Sequence, residues 1–174
     1  MIKINLVKTS LIAVLLFIMA ACTQAENTLS QAKRDLPFPV LFPEEMLEDW
    51  DIEETVYEDR LLVTTFHNNE EGRVELIQDQ NIQGLDLEEL RNYVLSNRSF
   101  TDQVLESNKV IEVEDFVGEM AFFMEPTPTV QYTFVQKKDL FSEVNGSVPY
   151  YQVIGTDISQ EELKRFISTL EAST

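Results

Sequence analysis

Two segments of the chain join a helix-capping signature to an apolar stripe of helical period. Nearly everything else that is periodic reads as strand. In Ile158-Ser159-Gln160-Glu161-Glu162-Leu163, Ser159 stands at the N-cap and Glu162 three positions later, with Ile158 and Leu163 at the staple positions. Leu163, Phe166, Ile167 and Leu170 then recur at i, i+3, i+4 and i+7, one face of a helix. Leu85-Asp86-Leu87-Glu88-Glu89-Leu90 repeats the logic: Asp86 caps, Glu89 answers, Leu85 staples to Leu90, and Leu87, Leu90 and Val94 form the inward stripe.

The strands fall around these helices. Residues 55–57 lead into 60–67, rich in β-branched and apolar side chains; Asn68-Asn69-Glu70-Glu71-Gly72 is a turn cluster, and 73–78 returns as the second arm of an antiparallel hairpin. Further strands are expected over 110–116, 119–124, 130–136 and 150–155, with Val117-Gly118 as a hairpin turn and Pro126-Thr127-Pro128 as a break. Residues 139–149, with Asn145-Gly146, make a longer connection. Three prolines between Pro37 and Pro43 exclude a helix or a central strand and leave an extended entrance with Phe38, Val40 and Phe42 on one side. Residues 44–50 suit a short helical turn. Strands, helix, strands, helix predicts an α+β fold: a curved antiparallel sheet with two main helices packed on one face.

The start of the chain reads as an address. Lys3 and Lys8 precede the apolar run 11–19, which is too short to span a bilayer, where about 20 apolar residues are needed. Met19-Ala20-Ala21-Cys22 then resembles the bacterial lipobox, in which small residues precede a cysteine that receives a diacylglycerol before cleavage. Met19 stands where that motif usually has Leu, and Thr23-Gln24-Ala25 offers a rival cleavage site for plain secretion. Cys22 is the only cysteine in the chain and lies where the motif needs it. The expected organisation is a lipoprotein signal peptide over 1–21, lipidated Cys22 and a polar tether to residue 35, and one domain over 36–174. Two acyl chains at Cys22 suffice for stable anchoring to the outer side of a cell membrane. As a coil the 13 tether residues average roughly 20 Å end to end.

Formal charge is −18; without Lys3 and Lys8 the remaining 11 basic and 31 acidic residues give −20. Such a surface repels nucleic acid and anionic headgroups, so no nucleic-acid partner is expected. Nine acids and no base lie between Glu44 and Asp59, the pattern of a solvated acidic face. His67 is the sole histidine, and no GxSxG, HExxH or P-loop spacing occurs. Residues 79–84 open like a calcium loop, but Gln83 and Leu90 stand where ligands belong. These residues predict no catalytic set, no metal and no cofactor. The second-half strands concentrate Met120, Phe122, Phe123, Met124, Tyr132, Phe134, Tyr150 and Tyr151. They suit a sheet core, or a concavity for a lipid or peptide with Phe122, Tyr132, Phe134 and Tyr151 facing the ligand.

The run PFPVLFPEEMLEDWDIEETVYED, the LLVTTF strand, VELIQDQ and the closing YYQVIGTDISQEELKRFISTL resemble the bacterial domain of unknown function 4367. The resemblance covers roughly residues 37–170. It implies a lipoprotein, or the outer domain of a membrane-bound anti-sigma factor, with a fold like that of periplasmic lipoprotein carriers: a curved antiparallel sheet cupping helices, with a hydrophobic cavity. It carries no catalytic residues, and with the start of the chain read as an export signal no cytoplasmic segment is expected that could hold a sigma factor. The function expected is a non-catalytic binding or interaction domain of a membrane-anchored envelope lipoprotein, its partner an envelope protein. The alternative is a carrier or sensor of a hydrophobic ligand.

Overall fold

The computed structural model of the protein describes residues 26–80, 82, 84–96, 108–142 and 148–173. The expected signal peptide and Cys22 lie outside the described residues. The fold is α+β and antiparallel. Its main sheet has seven strands in the order β2-β3-β4-β8-β7-β6-β5, with β2 (Trp50–Glu58), β3 (Leu61–Asn68), β4 (Arg73–Asp79), β5 (Asn108–Val113), β6 (Phe116–Phe123), β7 (Thr129–Gln136) and β8 (Tyr151–Thr156). The sheet is open, with β2 and β5 as edges. A two-stranded ribbon joins β1 (Val40–Pro43) to β9 (Leu170–Ser173), so the two ends of the domain pair with each other. Helices are α1 (residues 26–35), α2 (Leu87–Ser96), α3 (Lys137–Leu140) and α4 (Gln160–Ile167).

Local chemistry accounts for much of this. The expected hairpin forms as β3 and β4, Leu62 facing Gln78 and Phe66 facing Val74. β2 and β3 are joined by the two residues Asp59 and Arg60, both at positive φ (51° and 67°), a turn whose twist matches that of the flanking strands. At the start of α4 the Ser159 hydroxyl accepts from the Glu162 N–H at 3.2 Å and the Ser159 N–H donates to the Glu162 carboxylate at 2.8 Å, the reciprocal cap expected from sequence. At α2 the Asp86 carboxylate accepts from the N–H groups of Glu88 and Glu89.

Side chains alternate across a strand, so the registers divide the core in two. Phe66, Val74, Val153, Tyr132, Met120 and Phe116 belong to the cluster that also holds Leu163, Phe166 and Ile167 of α4, with Leu41 and Leu170 of the ribbon. Val117 and Val135, paired with each other and one position out of phase, pack instead with Leu90 of α2 and Leu140 of α3. The two main helices therefore lie against opposite faces of the sheet. That corrects the expectation of a shared face, and the reason is that β6 and the end of β7 carry apolar side chains in both phases, Phe116, Met120 and Phe134 in one and Val117 and Val135 in the other.

Four further expectations are revised. Residues 26–35 are a helix rather than a coil, and Ala32 is fully buried with Leu36, Val40 and Leu62, so the folded part begins ahead of Leu36. Residues 44–49 contain no helix; Glu44 N–H donates to the Thr169 carbonyl and a turn at residues 48–49 leads into β2. The β5–β6 turn is Glu114-Asp115, not Val117-Gly118. Gly118 is inside β6 because a Cβ there would collide with the Thr133 carbonyl oxygen and lie 2.6 Å from Phe134 Cα. Finally, α4 stops at Ile167, and Leu170, which also fits the helical period, opens β9.

Candidate functional site

The registers bring Phe122, Tyr132, Phe134 and Tyr151 to one face, in line with Val130, Met120, Gly118 and Phe134 across the strands. Three of them form a packed column. Tyr132 stacks on Phe134 at 4.9 Å and 13°, and Phe134 lies 5.7 Å from Tyr151 at 29°, all fully buried. Their polar ends are engaged: Tyr132 donates to the Ile111 carbonyl at 3.1 Å and Tyr151 to the Pro39 carbonyl at 2.8 Å. Burial first, then the negative charge of Glu112, pushes the Tyr132 phenol well above its ordinary range; burial and then Asp139 push Tyr151 up. Both rings thus stay protonated donors. Phe122 is separate, 44 % exposed at the end of β6 beside exposed Phe123 and Met124.

His67 is exposed at the end of β3, opposite Asp51 and Arg73. The acidic run occupies the loop before β2 and β2 itself, where Asp51, Glu53, Glu54 and Glu58 are exposed, and Arg73 reaches Glu53 at 3.9 Å and Glu75 at 3.1 Å. Among the described residues no group of three or more His, Cys, Asp and Glu is placed to hold a metal ion, and no helix is long and apolar enough to cross a membrane.

A cleft of about 460 Å³ opens elsewhere, where three connections meet at one end of the sheet. Its walls are the β5–β6 turn (Glu114, Asp115), the passage from β7 into α3 (Gln136, Lys137, Lys138) and the passage from α4 into β9 (Ser168, Leu170, Glu171). Local structure fixes these walls. Lys137 N–H donates to the Asp115 carbonyl at 2.8 Å, holding the start of α3 on the turn, and Thr169 N–H donates to the Phe166 carbonyl as α4 unwinds. Phe116 and Leu170, both in the main core, supply apolar lining.

Gln136 is the telling residue. It is 5 % exposed, and its side-chain amide makes no hydrogen bond to another described residue. Lys137 holds Glu112 at 2.8 Å, whereas Lys138 is exposed and in no ion pair with a described residue. The Ser168 hydroxyl is occupied, donating to the Arg165 carbonyl at 2.7 Å. Among the described residues the cleft therefore offers an unpaired amide, an ammonium outside any ion pair, and carboxylates. Sequence reasoning missed it. The available signal was a glutamine placed directly after Phe134 and Val135 at the end of a strand and followed by two lysines.

No protein-family model, curated protein or solved structure matches the chain.

Proposed function

We propose that the chain is an extracytoplasmic lipoprotein, anchored to a cell membrane through Cys22, whose domain binds a ligand or envelope partner without catalysing a reaction. The observation that carries the binding reading is the cleft at the β7–α3 passage, where the amide of nine-tenths buried Gln136, unpaired among the described residues, meets charges of both signs. The Gln136 amide is in reach of solvent within the cleft, so its donor and acceptor can be turned to a ligand there, as the few polar groups of a binding cleft are. The anchoring reading rests on the basic start, short apolar run and MAAC motif. Helix α1 adds to it: Cys22 to Glu26 spans at most roughly 14 Å in full extension, which would hold the docked helix and the sheet close to the bilayer.

The proposal keeps a curved sheet, concave toward α4 and the β1–β9 ribbon, and the relationship to the domain of unknown function 4367. The alternative, carriage of a hydrophobic ligand, has the exposed Phe122, Phe123 and Met124 in its favour. Against it stands the packing of Tyr132, Phe134 and Tyr151 upon one another.

A photo-crosslinking side chain introduced in living cells at position 138, and separately at 67 on the exposed end of β3, tests the binding reading. Adducts formed at 138 and absent at 67 are the expected result. Equal labelling at both positions, or none at 138, contradicts it.

A further inference from the structure

The groups around the cleft narrow the chemistry of its ligand. A primary amide presents a donor and an acceptor side by side, the complement of a peptide or carboxamide group. Gln136, a nine-tenths buried residue, holds that pair with no hydrogen-bond partner among the described residues, its amide facing the cleft. A purely apolar ligand would strip water from the amide and return no hydrogen bond, which costs more than the contact gains. Phe116, Leu170 and Ala172 nevertheless give the cleft an apolar part, which a bare inorganic ion would leave unused. The charges divide by element. Among the described residues Lys138 from α3 is in no ion pair, whereas Lys137 is drawn toward Glu112. Glu114 and Asp115 come from the β5–β6 turn and Glu171 from β9. A multiply charged anion would face three carboxylates, and the surrounding surface is strongly acidic.

We propose that the cleft binds a small zwitterionic peptide of dipeptide size. Its peptide group pairs with the Gln136 amide, its carboxylate meets the Lys138 ammonium, its ammonium meets the carboxylates of Asp115 and Glu171, and its side chain rests on Phe116 and Leu170. The volume of about 460 Å³ is in the range of small-ligand sites. The inference rests on the cleft being the functional site.

The test is calorimetric titration of the full chain in detergent with L-alanyl-L-alanine, its N-acetyl derivative and its C-terminal amide. The dipeptide binds saturably, and each blocked derivative binds about tenfold more weakly, since each lacks one charge-assisted contact. Gln136→Leu weakens the dipeptide by about tenfold or more. Lys138→Ala, an exposed change that leaves the fold intact, removes the preference for the dipeptide over its amide. Equal binding of all three compounds, or no saturable binding by the folded protein, overturns the proposal. If the dipeptide fails while crosslinking at position 138 still traps a ligand, the zwitterion assignment falls and the cleft remains a site; if both fail, both readings fall.

Discussion

The side chain of Gln78 is hydrogen-bonded to both polar groups of the Leu41 backbone: the Leu41 N–H donates to Oε1 at 2.8 Å and Nε2 donates to the Leu41 carbonyl at 2.9 Å. An amide thus takes the place of a neighbouring strand. It ties the β1–β9 ribbon, and with it both ends of the domain, to β4 in the middle of the sheet. Gln78 is fully buried, so nothing else there can satisfy Leu41.

Gln78→Leu should accordingly leave two buried backbone groups unpaired. Each orphaned group costs about 1–3 kcal/mol, so a loss of about 2–6 kcal/mol is expected in chemical denaturation. A loss under about 1 kcal/mol would mean that the ribbon is held by packing alone.

The cap of α4 predicts a pH signature. The Ser159 hydroxyl, and then its backbone N–H, hold the Glu162 carboxyl below its ordinary 4.5. With the folded pKa below the unfolded one, the stabilisation is fully present above the unfolded value and is lost as pH falls through the folded value. Ser159→Ala should cost about 0.5–2 kcal/mol at neutral pH. The gap from the unsubstituted protein should narrow once the pH drops below the ordinary carboxylate range. A gap that is constant down to acid unfolding would assign the effect to something other than this cap.

Phe134 sits between Tyr132 and Tyr151 and meets Phe116 edge-on at 5.0 Å. Phe134→Ala should destabilise by about 3–5 kcal/mol, the cost of emptying a packed aromatic site. A much smaller loss, together with saturable binding of a fluorescent fatty-acid probe that the substitution abolishes, would favour the hydrophobic-carrier alternative instead.

Local features of the sequence carried through to the structure, and non-local ones did not. The two caps, Ser159–Glu162 and Asp86, depend on residues three positions apart or fewer, and the β3–β4 hairpin on strands joined by one short turn, where spacing is informative. Leu170 satisfied the helical period of α4 and still became the start of β9, because its pairing with Pro43 decides the matter from far along the chain. Gln78 looked like a polar strand residue; its role depends on Leu41. Helix α1 was within reach: Leu29, Ala32 and Leu36 recur at i, i+3 and i+7 in an otherwise polar stretch. The opposite placement of α2 and α4 follows from Val117 and Val135, which give one end of β6 and β7 a second apolar face, and two isolated valines signal that only weakly. The cleft draws on three separate connections, and no spacing rule joins Asp115, Gln136 and Glu171.

Anchoring through Cys22 is the central claim, and metabolic labelling with a fatty-acid analogue tests it most directly. The intact chain should take up the label and partition with membranes, while Cys22→Ala should be unlabelled and released or misprocessed, because that thiol is the proposed site of the diacylglycerol. Equal label on both proteins, or none on either, would contradict the account.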